Sequence, residues 1–186
     1  MSTIELDSVV VAATAGDEAA FSELVERHRR ELQAHAYRIV GSREDAEDLT
    51  QETFLRAWRM RESFQGRASF RAWLYRIATN TCLSALERRS RRPQGVQSPG
   101  ALEAIPAADA EPDEVLVTKE TAHLAVLAAV QHLPPRQRAV LIVRDVLGWP
   151  AKETAALLGT SVASVTSAHQ RARSTLREKA DGAGRH

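Results

Sequence analysis

Six histidines, one cysteine and a cluster of carboxylates are the side chains of this sequence best suited to covalent or metal chemistry. His28 and His35 stand seven apart in a helical stretch and therefore share a face. No cysteine or acid at ligand spacing joins them there, so they read as packed or partner-facing histidines, not zinc ligands. Cys82 falls mid-helix with no histidine placed to take its proton, which makes it a poor nucleophile. Asp45, Asp48 and Glu52 resemble a Mg²⁺ cluster, but no opposing helix supplies matching carboxylates. Neither a glycine-rich phosphate loop nor an HExxH pattern occurs. The expectation is a non-enzymatic protein with no catalytic residue, no metal and no cofactor.

Recognition without covalent chemistry is better provided for. Along a helix from Arg43 to about Met60, the stripe Ala46, Leu49, Thr53, Ala57 and Met60 faces a core, with Phe54 beside it. The reverse face carries Asp45, Asp48, Gln51, Glu52, Leu55 and Arg59. An acidic face is ordinarily just solvated, yet an apolar Leu55 ringed by carboxylates has the character of a protein-docking patch. The segment Ser63-Phe64-Gln65-Gly66-Arg67-Ala68 offers an aromatic, an amide and a cation around glycine, a set suited to holding an unstacked base. In the following helix Phe70, Trp73, Leu74, Ile77, Ala78 and Ala85 form one stripe, while Arg76, Thr79, Asn80, Leu83 and Glu87 lie on the other side. Asn pairs bidentately with adenine and Arg holds phosphate, so this flank suits DNA. Trp58 and Trp73 are assigned to the core.

Near the C-terminus, Ala155, Gly159 and Val165 have the spacing of a helix-turn-helix. A small residue sits where the helices cross, glycine permits the tight turn, and an apolar residue closes the little core. Val162, Val165, Ala172 and Leu176 share one face of the second helix, with Ser164, Ser167, Ala168, Arg171 and Thr175 opposite. Small hydroxyls and a long cation on an outward face suit a major groove. An ordinary helical hairpin with solvated polar residues fits the same pattern.

These residues need elements to carry them. With 44% hydrophobic, 26% charged and only 5% aromatic residues, the composition is that of a globular and helix-rich chain. Helices are expected up to Gly16, from an Asp17 cap to Gly41, from a Ser42–Asp45 capping box to Met60, and from Ser69 to Arg89. The long second helix buries Phe21, Leu24, Val25, Leu32, Ala36 and Ile39. Further helices are expected from an Asp113 cap to Pro134, from Pro135 to Leu147 before Gly148, over Pro150–Leu158, and over Val162–Lys179. No strand alternation appears. Pro93, Pro99, Pro106 and Pro112 interrupt helix between 93 and 112, where the charges are Glu103, Asp109 and Glu111.

The fold class is therefore all-α: two small helical domains joined by a flexible linker, the second containing the helix-turn-helix. The expected boundaries are 1–92, an acidic linker at 93–112, 113–180, and a tail at 181–186. The net charge of +1 does not decide for or against nucleic acid. A single cysteine suits a reducing compartment, Met1–Val11 lacks a basic signal region, and no apolar run is long enough to span a bilayer. A cytoplasmic protein without membrane insertion is expected.

DAEDLTQETFLRAW (Asp45–Trp58), followed by FRAWLYRIATN (Phe70–Asn80), resembles region 2 of the extracytoplasmic-function (ECF) sigma factors of the sigma-70 family. LPPRQRAVLIVRDVLGW (Leu133–Trp149) and ETAALLGTSVASVTSAHQRARSTL (Glu153–Leu176) resemble region 4 of the same group. The resemblance covers about residues 8–180. It implies a factor that binds core RNA polymerase and directs promoter recognition, melting and transcription initiation. Asp45, Asp48, Gln51, Glu52, Leu55 and Arg59 would dock on the β′ clamp helices, and the β flap is a second implied contact. Phe64, Gln65, Gly66 and Arg67 would form the loop that captures a flipped base of the −10 element, beside Arg76, Thr79, Asn80 and Leu83. Ser164, Thr166, Ser167, Gln170, Arg171 and Arg173 would face the −35 element. The linker would thread toward the RNA exit channel, and an anti-sigma factor is a further implied partner.

Two departures bear on this. Thr166 and Ala168 stand where many relatives carry basic residues, so phosphate anchoring would lean on Arg171, Arg173 and the helix N-terminus. The region 4 wording is also closest to members that continue into a C-terminal NTF2-like domain, which is not expected within these 186 residues. The competing reading is a stand-alone helix-turn-helix regulator that binds its operator alone.

Overall fold

The computed structural model describes the backbone of residues 3–91 and 126–183, and every regular element among them is helical. In chain order these are α1 (Thr3–Thr14), α2 (Glu18–Val40), α3 (Arg43–Arg59), a 3₁₀ turn (Arg61–Ser63), α4 (Phe70–Ser90), a helical stretch at 126–131 (α5), α6 (Pro135–Leu141), α7 (Ala151–Leu158) and α8 (Val162–Ala183). The expected linker at 93–112 and the Asp113 cap lie outside the described residues.

Local chemistry sets the boundaries. The Asp17 carboxylate accepts from the Ala20 amide at 3.0 Å, and the Ser42 and Ser69 hydroxyls accept from Asp45 and Ala72 at 3.3 and 3.1 Å. Each satisfies an amide that the first helical turn leaves unpaired. Gly41 closes α2 at φ +75°, a left-handed conformation that favours glycine. Pro135 opens α6 at the first-turn position expected for it. The helix expected to reach Leu147 widens after Leu141 into a π turn over Ile142–Val146. The Leu147 amide there reaches back to the Ile142 carbonyl at 3.1 Å.

In the first half α2, α3 and α4 bury Phe21, Leu24, Leu32, Phe54, Ala57, Phe70, Leu74, Tyr75 and Ile77 in one core. In the second half Val140, Ala155 and Val165 close a small core between α6, α7 and α8. The halves also pack on each other. Val143 and Leu157 join the first core, and Leu127, Val130, Leu133, Leu141 and Ile142 share a cluster with Ala36, Tyr37, Ile39, Val40 and Cys82.

That packing corrects the face expected for α4. The helix touches α2 and α3 on one side and α6 and α7 on the other. Its burial therefore runs nearly all round. Thr79 is fully buried and Leu83 nearly so, leaving Arg76, Asn80 and Glu87 as the exposed members of the expected flank. Two other expectations also fail. Met60, one residue past the end of α3, is exposed instead of core-facing, because the chain turns there into the 3₁₀ segment. Val162, the first residue of α8, is also exposed.

Candidate nucleic-acid interface and docking face

The first candidate surface is the outer side of α3. Leu55 is 58% exposed, and Asp48, Gln51, Glu52 and Arg59 around it are exposed as well. Glu52 is tethered by Arg56 at 2.8 Å, one turn on. Asp45, at the edge, is held by the Arg89 guanidinium of α4, which keeps its carboxyl below the ordinary range despite partial burial. A patch of leucine, amide and carboxylates thus stays presented, with its flank fixed by an ion pair. Arg88 and Arg89, which line a hollow with Asp45 and Asp48, were not foreseen as its neighbours.

The second surface is the loop before α4. Phe64 packs its ring against Phe70 and Trp73, with both centroid separations 5.5 Å. Gln65, Gly66 and Arg67 are exposed, and Gly66 turns at φ +67°. The loop opens on a cavity of about 570 Å³ whose walls include Phe64, Arg67, Trp73 and Arg76. Aromatic faces with nearby guanidinium groups are the chemistry that holds an unstacked base. Trp73, assigned to the core from its spacing, is half-buried and forms one wall. The opposite wall comes from the second half of the chain: Trp149, Glu153, Ala156 and Leu157. No spacing argument pointed to these four.

Thr79 takes a different part from the expected one. Its hydroxyl donates to the Tyr75 carbonyl at 2.7 Å and accepts from His35 Nε2 at 2.8 Å. His35 is wholly enclosed, edge-on to Tyr75 at 4.9 Å, and burial, reinforced by the charges of Arg38 and Arg71, drives its pKa down to about 3. Around it, His28 meets Glu31 at 2.5 Å, and Arg71 pairs with Glu31 at 2.7 Å. Burial alone would raise the Glu31 pKa, but the Arg71 and His28 hydrogen bonds more than offset it. The face shared by His28 and His35 is thus a structural support beneath α4. No cluster of potential metal ligands occurs among the described residues.

The third surface is α8. Ser161 caps it by accepting from the Ser164 amide at 3.1 Å, and Gly159 ends α7 at φ +62°. Ser164, Thr166, Ser167, Gln170 and Arg171 are all exposed. Arg173 is exposed as well and lies, with His169, beside Asp145, at 3.8 and 2.7 Å respectively. Arg171 remains the cation of the outward face. It and Ser164 border a cleft of about 440 Å³, and Asn80 and Leu83 border the same cleft from α4.

Two capped, helical halves, one with an acidic face and an aromatic-lined loop and the other with a helix-turn-helix, define the architecture of sigma-type transcription factors. Residues 24–92 match Sigma-70 region 2 and residues 123–176 match Sigma-70, region 4. Among curated relatives, the ECF RNA polymerase sigma factor SigG of Mycobacterium tuberculosis is 48% identical over 92% of this chain and 53% of its own. SigM of the same organism is 33% identical, with 90% of this chain and 81% of SigM covered. The ECF RNA polymerase sigma-E factor of Salmonella typhimurium is 32% identical, with 88% of each chain covered. This chain therefore belongs to the ECF sigma factors of the sigma-70 family. It spans about half the length of SigG.

Two solved structures share the arrangement. CnrH, in complex with the cytosolic domain of CnrY, superposes with a TM-score of 0.65 at 28% identity, over 94% of this chain and 96% of that one. RpoE of Bartonella quintana, in complex with the anti-sigma factor NepR, gives 0.67 at 26% identity, over 85% and 94%. No described helix is long and apolar enough to cross a membrane.

Proposed function

We propose that this chain binds core RNA polymerase and directs it to promoters, opening them for initiation by binding alone. α3 docks on the β′ clamp helices through Leu55 and its acidic surround. The loop at Phe64–Arg67 takes up a base flipped from the −10 element, next to Arg76 and Asn80. The outward face of α8, with Ser167, Gln170 and Arg171, reads the −35 element. Opening costs a few kcal/mol per unstacked base, and stacking in the aromatic cavity offsets part of that. An anti-sigma factor is a natural further partner, since the superposing sigma factor RpoE was captured with the anti-sigma factor NepR.

The observation that carries this reading is the exposed Leu55 within a carboxylate face, on the same chain as an exposed helix-turn-helix. Run-off transcription and gel shifts, each with and without core polymerase, test it. Promoter-specific transcripts and shifts that require core polymerase are expected. Tight operator binding by the free protein, unaffected by core, would instead favour the stand-alone regulator.

A further inference from the structure

The cavity before α4 holds more chemistry than the capture of a flipped base requires. A base turned out of DNA needs an aromatic face, and cations for the phosphates beside it. Phe64, Trp73, Arg67 and Arg76 supply both from the first half of the chain. The far wall adds another aromatic, Trp149, and a carboxylate, Glu153. A carboxylate repels a DNA backbone, so its place there calls for a different partner.

The aromatic walls are set before any ligand arrives. Phe64 and Trp73 brace one another at 5.5 Å, and Phe70 backs them both, 5.5 Å from the first ring and 5.4 Å from the second. Across the cavity the Trp149 amide donates to the Val143 carbonyl at 3.1 Å, and its carbonyl accepts from Arg144 at 2.6 Å. Its ring packs on Tyr75 at 5.5 Å. Rings fixed in this way take up a flat ligand with little further loss of freedom.

The charged walls are uncommitted. Arg67, Arg76 and Glu153 are exposed, and their side chains make no hydrogen bond or ion pair among the described residues. No ion pair joins Arg76 to Glu153, although both border the same space. Two guanidinium groups suit the oxygens of a phosphate ester. A carboxylate only accepts hydrogen bonds, so the base edge that matches it carries two adjacent donors. Guanine has that pair in N1–H and its 2-amino group, whereas adenine presents an unprotonated N1 that a carboxylate repels. A volume of about 570 Å³ falls within the range of pockets that hold one small ligand.

We propose that this cavity binds a free guanine nucleotide, its base against Phe64, Trp73 and Trp149, its base edge on Glu153 and its phosphates on Arg67 and Arg76. A mononucleotide carries phosphates on one side only and keeps them away from Glu153. A strand continues on both sides of each base and brings one phosphate toward that carboxylate. Such binding is independent of the promoter function proposed above, which run-off transcription with core polymerase reads separately.

The test titrates the intact chain with GTP, ATP, guanosine and a single-stranded DNA hexamer. Calorimetry gives affinity, tryptophan emission reports the aromatic walls, and circular dichroism confirms retained helix. GTP should bind saturably, quench the emission and bind at least about fivefold more tightly than ATP. Glu153→Gln keeps the side-chain shape but sets a donor beside the acceptor, and should erase that preference. Arg67→Ala should weaken GTP several-fold and flatten its salt dependence while leaving guanosine unchanged. Trp149→Ala should lower GTP affinity about 5- to 150-fold, the loss expected when a base gives up an aromatic stacking partner. If Trp149→Ala loses helix, Glu153→Gln and Arg67→Ala, both at exposed positions, decide. No saturable GTP binding, equal affinity for GTP and ATP, or a folded Glu153→Gln variant that discriminates as the parent does overturns the site. A hexamer that binds where GTP does not overturns it too and returns the cavity to DNA alone.

Discussion

Leu55 offers the sharpest test of the docking face. Full burial of a leucine side chain is worth about 1.5–3 kcal/mol, and 58% of this one is still exposed, so docking can recover about 1–2 kcal/mol from it. Leu55→Ala should thus raise the dissociation constant for core polymerase about 5- to 30-fold. Folding should be almost untouched, since a solvated side chain away from caps and cores contributes within about 0.5 kcal/mol. The Glu52–Arg56 pair and the core residues Thr53, Phe54 and Ala57 stay in place. Leu55→Asp should go further and abolish binding, because the new carboxylate must be desolvated beside Asp48 and Glu52. Titrating labelled chain with core polymerase gives the constants, and thermal melts give the stability. Affinity for Leu55→Ala within twofold of the parent, with unchanged melting, would show that α3 docks through some other face.

Other consequences are testable in the same material. His35 is neutral when folded, with a pKa near 3 against an ordinary 6.5, so between those values the unfolded chain binds one more proton. Stability should fall as pH drops from 6.5, by about tenfold in the folding constant per unit, and His35→Gln should remove that slope. Urea midpoints at successive pH values decide it, and equal slopes would refute the assignment. Asn80→Ala, at an exposed position, should impair promoter-specific run-off transcription while sparing core binding; normal transcription would remove Asn80 from the −10 surface. Arg171→Ala should lower the salt slope of holoenzyme binding to −35 DNA by about 1, as expected for one lost phosphate contact. An unchanged slope would place Arg171 off the backbone.

Much of this could be read from residue order alone, because the signals are local. Asp17, Ser42 and Gly41 mark helix ends through bonds and backbone angles within a few residues of themselves. Gly159, four after Ala155 and six before Val165, encodes a turn of fixed geometry. The outward position of Leu55 follows from the helical period of α3, since no other described element covers that side of the helix. What spacing could not reveal depends on contacts between distant segments. Thr79 looked like part of a surface, yet His35, 44 residues earlier, buries it. Arg173 lies within 3.8 Å of Asp145, 28 residues earlier, a neighbour that spacing along one helix could not give. Arg138 carried no signal at all, because its partners are carbonyls of Ile39 and Leu133, and every residue, proline included, offers the same carbonyl. Periodicity says which side of a helix is apolar; only the assembled fold decides how many sides are covered.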